Sequence, residues 1–273
     1  MADSPLHIDL KTILRNRGGA AARIPGFVVS GLEKLVHQSE LNEVLASAWP
    51  KEGWEFAEAT AKYYGLKIIT EGLERLPEGR RFIFASNHPL GGLDGISLIA
   101  ALGKRYGNEN FRFLVNDMLM NVEPLRNVFI PINKYGAQGR AAAKVINDTY
   151  ASDAQIAIFP AGLVSRLQDG EIKDLKWQKA FVAKAIEFNR TIVPVRFIGS
   201  NSNRFYKAAQ WRKILGIRFN LEQILLPSEM SRSREKTFKI IFGKPLAPSE
   251  ILQLGKTHAD IAEAIKDIVY SLQ

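Results

Sequence analysis

An imidazole and a carboxylate stand six positions apart in the segment Asn87-His88-Pro89-Leu90-Gly91-Gly92-Leu93-Asp94. A histidine whose second ring nitrogen is held by a carboxylate is a general base that works near neutral pH. A helix cannot join these two side chains, because at about 100° per residue they fall on well-separated faces. The segment therefore reads as a loop that curls back on itself, with Gly91-Gly92 supplying the backbone freedom. The competing reading is a plain strand-to-helix turn, with a surface histidine and Asp94 as a helix N-cap.

Two further loops carry polar chemistry. Asn133-Lys134-Tyr135-Gly136-Ala137-Gln138-Gly139-Arg140 follows the apolar run 129–132. Lys134 and Arg140 could meet an anion there together with the N–H groups of the next helix; a basic turn feeding a surface helix competes. Phe159-Pro160-Ala161-Gly162-Leu163-Val164-Ser165-Arg166 follows the apolar run 156–158. Phe159-Pro160 and Gly162 permit a tight exit, and Ser165 and Arg166 offer donors to an oxyanion or headgroup. Ile192-Val193-Pro194-Val195 reads as a strand interrupted by proline, which suggests a sheet edge or a bulge.

These loops need a scaffold. Residues 1–65 show helix-period apolar patterns broken at Gly18-Gly19, Pro25-Gly26 and Pro50, so they read as an N-terminal helical arm, a candidate for membrane contact. From 66 to 273 short apolar runs alternate with amphipathic segments. The expected strands are 66–70, 82–86, 111–115, 128–132, 155–159, 192–197 and 238–242; the expected helices are 95–104, 139–150, 173–188, 203–214 and 257–272. This alternation predicts an α/β domain: a mixed, largely parallel sheet flanked by helices. In such sheets chemistry collects at the carboxyl ends of strands, which is where these loops depart.

Composition removes several function classes. Among 273 residues there is no cysteine, hence no disulfide, thiolate metal site or cysteine nucleophile, and the four histidines show no metal-ligand spacing, so no metal is expected. No Gly-x-Ser-x-Gly elbow marks a serine hydrolase, and no nucleic-acid-binding signature accompanies the net charge of +9. That charge suits an acidic protein or an anionic membrane surface. No apolar run approaches the roughly 18 residues of a bilayer span, and Met1–Pro5 lacks a signal-peptide pattern, so a cytoplasmic protein or one peripheral on the inner face of the cell membrane is expected. Residues 203–215 mix Phe205, Tyr206 and Trp211 with Arg204, Lys207, Arg212 and Lys213, which reads as an interfacial helix or as a core-packed helix with a solvated basic face.

In order and spacing the four blocks resemble the glycerolipid acyltransferase family, the lysophosphatidate (PlsC-like) acyltransferases. That family carries an Asn-His-x4-Asp block, an apolar block with a basic residue, a Phe-Pro-Glu-Gly-Thr-Arg-Ser block and a Val-Pro block; the likeness spans residues 66–245. It implies a glycerol-3-phosphate acyltransferase-like fold and O-acyl transfer to the hydroxyl of a lyso-lipid. The donor would be an acyl thioester of acyl-carrier protein or coenzyme A, with no other cofactor. By this likeness His88 is the base and Asp94 its orienting partner, Lys134 stands for the second block's arginine, and Asn87, Gly91, Gly92, Asn133, Lys134, Phe159, Pro160, Gly162, Ser165 and Arg166 serve the substrate.

The chain departs from that pattern in three ways. Five residues rather than four separate His88 from Asp94, Ala161 replaces the glutamate, and Arg166 follows Ser165 instead of preceding it. The longer form looks like a hemolysin-like subgroup, relatives of which acylate lyso forms of amino-acid lipids such as ornithine or glycine lipids. The acceptor is thus expected to be a lysophosphatidate-type lipid or a lyso amino-acid lipid. A catalytically silent lipid-binding protein of the same fold is the alternative.

Overall fold

Residues 82–86 are buried on both faces, as a central strand covered by helices on either side requires. They form β2 of a sheet in a computed structural model that describes residues 6–17, 23–132, 139–216 and 221–273. The described chain begins with helices α1 (Leu10–Arg17), α2 (Gly26–Leu35), α3 (Gln38–Ala48) and α4 (Gly53–Tyr63), then β1 (Lys67–Glu71) and β2 (Phe82–Ser86). Next come α5 (Leu93–Tyr106), β3 (Phe111–Asn116), β4 (Phe129–Ile132), α6 (Arg140–Ala151) and β5 (Gln155–Ile158). A short hairpin of β6 (Arg166–Gln168) and β7 (Glu171–Lys173) leads to α7 (Ala180–Glu187) and β8 (Thr191–Ile198). The chain ends with α8 (Asn203–Ile214), α9 (Leu226–Ser231), β9 (Thr237–Phe242), α10 (Pro248–Ile251) and α11 (His258–Ser271).

The sheet order is β1-β9-β8-β2-β5-β3-β4. The strands from β8 to β4 are mutually parallel, while β9 runs antiparallel to β8 and carries β1 beside it. The expected mixed, largely parallel sheet is therefore the observed one. Strand alternation divides the core: Phe82 and Phe84 join Phe113, Leu98 and Phe56 on one face, whereas Ile83 and Ala85 join Ile156, Trp177, Phe181 and Ile265 on the other. α4 and α5 cover the first face, and a Cβ on Gly103 would lie 2.1 Å from Cβ of Trp54, so glycine is what lets these two helices meet so closely. Among the described residues no helix is long and apolar enough to cross a membrane.

One local expectation is corrected and another is narrowed. The helix expected over 173–188 starts only at Ala180. Asp169-Gly170, both at positive φ, make a tight turn between β6 and β7, and residues 174–179 stay out of the helix: the Asp174 side chain accepts from Ser165 and from Trp177, and the main-chain N–H of Trp177 donates to Glu263. The proline strand β8 lies inside the sheet, which excludes the edge and leaves the bulge: Val195 pairs with Phe242 but Ile192 with Leu246, one residue more on the neighbour's side. Pro194 fits because Ile192 and Pro194 face the same neighbour: Ile192 exchanges bonds with Leu246, and Pro194 O accepts from Gly243 N–H just after β9 has ended. The missing N–H thus faces a gap in the ladder.

Parallel strands with antiparallel helices place helix C-termini at the amino ends of the strands. Arg190 answers the resulting concentration of carbonyl oxygens. Fully buried, it donates to the oxygens of Tyr150 (2.7 Å), Ala154 (2.8 Å), Ser152 (2.5 Å), Phe82 (3.3 Å) and Thr149 (3.3 Å). Desolvation and the nearby Arg81 charge pull its pKa down to about 10, so it remains charged at neutral pH. A cation at helix C-termini is favourable, and removing it strands buried acceptors. Arg190→Met is expected to lower stability by roughly 3 kcal/mol or more in urea unfolding; a loss well under 1 kcal/mol would show that the carbonyls find other donors.

Candidate active site

β2 ends at Ser86 and β5 at Ile158 on adjacent parallel strands, so the loops that follow them emerge side by side. His88 and Phe159 meet there: the two rings stack at 4.0 Å between centroids and 17° between planes, with Phe113 edge-on behind Phe159 at 5.1 Å. The stack fixes the plane of the imidazole. Its Nδ1 lies 2.9 Å from Oδ2 of Asp94, which occupies the first turn of α5 and is fully buried.

A buried carboxylate needs its lone pairs filled. Oδ2 of Asp94 also accepts from Leu90 N–H (2.8 Å) and Gly91 N–H (3.2 Å), and Oδ1 accepts from Gly95 N–H (2.9 Å). Burial alone would push the Asp94 carboxyl up, but the His88 charge and these hydrogen bonds hold it below its ordinary value. The helix N-terminus favours the anion as well. Asp94 is thus an ionised acceptor that draws a proton onto Nδ1, which leaves Nε2 with the lone pair a base needs. The loop closes because Gly91 adopts φ of +81°; a Cβ there would lie 2.5 Å from Cγ2 of Val164.

The remaining expected residues fall into distinct groups. Asn87 clamps β2 to β8: its Oδ1 accepts from Phe197 N–H (2.7 Å) and its Nδ2 donates to Phe197 O (2.9 Å). Gly92 is the N-cap of α5. Pro160 O accepts from Gln178 N–H and Gly162 N–H donates to Phe159 O, so both shape the exit from β5. Ser165 and Arg166 are buried and face internal partners. Ser165 Oγ donates to Asp174 (2.5 Å) and its N–H to His88 O (2.8 Å). Arg166 Nη2 donates to buried Glu222 (2.6 Å), Nη1 donates to Val164 O, and the guanidinium lies over the Phe205 ring. They support the loop from within instead of presenting open donors. Asn133 and Lys134 lie outside the described residues. Ala161 is buried in the apolar cluster that contains Trp177 and Phe181.

Two participants were absent from the sequence reading. Asp174 accepts from His88 N–H (3.2 Å), and Asn201 Nδ2 donates to the carbonyls of Pro89 (3.2 Å) and Leu90 (3.3 Å). Asn201 carries no local signal, but Asp169-Gly170 is a strong hairpin signal that would have brought Asp174 back beside Ser165. Two open clefts, of about 780 and 680 Å³, lie away from this centre. One lies between α4, α5 and β1, the other at the amino ends of β2 and β5, and neither borders His88.

Helix α8 has a core-packed side and an exposed basic side, as the second of the two readings of residues 203–215 describes. Phe205 and Tyr206 of α8 are core residues packed with Val164, Leu225 and Leu226. The opposite stripe, Arg204, Lys207, Trp211, Ile214 and Leu215, is exposed, with Trp211 63% and Ile214 74% accessible. On α2, Phe27 is 81% exposed.

The model of a family described as acyltransferase matches residues 12–273. A lyso-glycine lipid O-acyltransferase of Phocaeicola vulgatus is 48% identical over 271 residues, covering 99% of this chain and 96% of that protein. A protein of the same name from Bacteroides thetaiotaomicron is 44% identical over 271 residues, covering 99% of each. Among solved structures, the 1-acyl-sn-glycerophosphate (LPA) acyltransferase PlsC from Thermotoga maritima superposes with a TM-score of 0.48 at 17% identity, over 89% of this chain and 84% of that one.

Gly91→Ala forces a side chain into both a left-handed backbone and Val164. It is expected to cost about 1–3 kcal/mol of stability and to shift the Nδ1–H resonance of His88 in proton NMR; an unchanged resonance would mean that the loop does not depend on this glycine.

Proposed function

This chain belongs to the acyltransferase family, and from that premise we propose that it transfers a fatty acyl group from a thioester to the hydroxyl of a lyso amino-acid lipid of the lyso-glycine-lipid class. The carrying observation is the 2.9 Å contact between Nδ1 of His88 and a fully buried Asp94. The names of the two relatives, similar along nearly the whole chain, support the acceptor class. The replacement of a glutamate by Ala161 within an apolar cluster is consistent with a headgroup other than glycerol phosphate.

The reaction runs through His88. Nε2 takes the proton of the acceptor hydroxyl as its oxygen bonds to the thioester carbonyl carbon, and negative charge moves onto the carbonyl oxygen. Asp94 steadies the imidazolium without taking its proton. Collapse of the tetrahedral adduct breaks the carbon–sulfur bond, and the imidazolium returns its proton to the departing thiolate. The Leu90 and Gly91 amides are turned to Asp94, so donors outside this pair must meet the oxyanion. The donor is an acyl thioester of coenzyme A or acyl-carrier protein; both carriers are acidic, and the chain's net charge of +9 suits either. No cofactor or metal enters this scheme.

The acceptor is a lipid, and the exposed stripe of α8 supplies a docking face for the inner surface of an anionic membrane. Arg204 and Lys207 meet headgroups while Trp211, Ile214 and Leu215 enter the interface.

Purified protein given lyso-glycine lipid and an acyl thioester is expected to yield the diacyl product by mass spectrometry. His88→Ala and Asp94→Asn should each lower kcat by about 100- to 10,000-fold; near-normal transfer by His88→Ala would remove the proposed base. Replacing Trp211 and Ile214 together by serine should weaken binding to phosphatidylglycerol vesicles at least about tenfold, and unchanged sedimentation with vesicles would exclude this face.

A further inference from the structure

His88 is bracketed by two buried carboxylates, only one of which touches its ring. Asp174, 1% exposed, stands at the mouth of the β6–β7 hairpin, directly after β7, while Ser165 directly precedes β6. The hairpin brings the two together, and Gln168 Nε2 donates to the carbonyls of Lys173 and Asp174 (3.1 Å each), which fixes where the chain leaves it. The Asp174 carboxylate accepts from Ser165 Oγ (2.5 Å) and His88 N–H (3.2 Å) on Oδ1, and from Trp177 Nε1–H (2.9 Å) on Oδ2. Its own N–H donates to the hydroxyl of Tyr270 on α11 (2.8 Å). Burial pushes the Asp174 carboxyl up, and the bonds from Ser165, Trp177 and His88 oppose that push.

The pattern differs from an ordinary hairpin closure in where its donors come from. Ser165 alone would close the hairpin. The other two are the main-chain N–H of His88 and the indole of Trp177, a ring buried in the apolar cluster that holds Phe181 of α7. The Ser165 N–H also donates to His88 O, so both main-chain polar groups of His88 are held by one unit, Ser165 and Asp174. Asp94 sets the ring; this unit sets the backbone that carries the ring.

We propose that Asp174, with Ser165 and Trp177, is a positioning residue for acyl transfer, holding the main chain of His88 so that the imidazole meets both Asp94 and the acceptor hydroxyl. The inference rests on the function proposed above. A displacement of a reacting group by about 1 Å can cost about 100-fold in rate, so a main-chain anchor one residue's breadth from the base is a strong lever.

The test compares Asp174→Asn, Ser165→Ala and Trp177→Phe in the purified full chain with lyso-glycine lipid and an acyl thioester. Asp174→Asn is expected to lower kcat by about 10- to 100-fold while the KM values for acceptor and donor stay within about twofold. Ser165→Ala and Trp177→Phe, each removing one donor, should lower kcat by less and in the same way. In all three the His88 Nδ1–H resonance should shift or broaden, although none of these side chains touches the ring. A loss borne by KM, or a kcat and resonance like the wild type's in a folded variant, overturns the proposal. If Asp174→Asn fails to fold, the two single-donor variants decide by the same readouts. If the wild type transfers nothing to this acceptor, the function fails, and the NMR signature still judges the positioning role by itself.

Discussion

A negative charge excluded from water must be surrounded by donors, and Asp94 is where this protein meets that requirement. Three backbone amides and one imidazole nitrogen converge on its two oxygens. Such an anion would otherwise protonate; held ionised, it governs which imidazole nitrogen bears the proton. The curled loop, the left-handed Gly91, the start of α5 and the orientation of His88 all follow from bringing those four donors to one carboxylate. The same convergence removes Leu90 and Gly91 from the set of groups able to stabilise a developing oxyanion.

The sheet sets charge at both of its ends. Helices antiparallel to parallel strands aim their amino ends at the rim that carries His88 and their carboxyl ends at the opposite rim. At the upper rim the start of α5 holds the buried Asp94 carboxylate, and at the lower rim buried Arg190 clasps the carbonyls at the end of α6. The polar residues around the base are likewise mostly engaged with the protein: Asn87 with β8, Ser165 with Asp174, Arg166 with Glu222. Rigidity is purchased with groups whose types alone suggest ligand binding. Open cationic and apolar groups lie instead along the outer stripe of α8.

Much of this was legible before folding. Short apolar runs and period-3.6 patterns placed the strands of the main sheet and most of its helices, though not the β6–β7 hairpin, since a strand buried on both faces and an amphipathic helix each leave a pattern within a few residues. The His88–Asp94 pair was legible for the same reason: both partners and the glycines that join them lie within one short segment. The helix start at Ala180, and which of the two readings holds at Pro194 and at Phe205, were not. Each depends on a neighbour remote in the chain, as Pro194 depends on where β9 ends.

The sequence by itself therefore determined the layered α/β scaffold, the pairing of His88 with Asp94, and membership of an acyltransferase family through blocks whose order and spacing are local. Tertiary structure alone decided which of the candidate polar side chains are engaged with the interior. Donor types can be read from residue names, but their acceptors stand 9, 56 and 86 positions away for Ser165, Arg166 and His88. A hairpin suffices for Ser165, but only tertiary packing brings Arg166 and His88 to their carboxylates, because a buried charge is compensated only once the chain has closed around it.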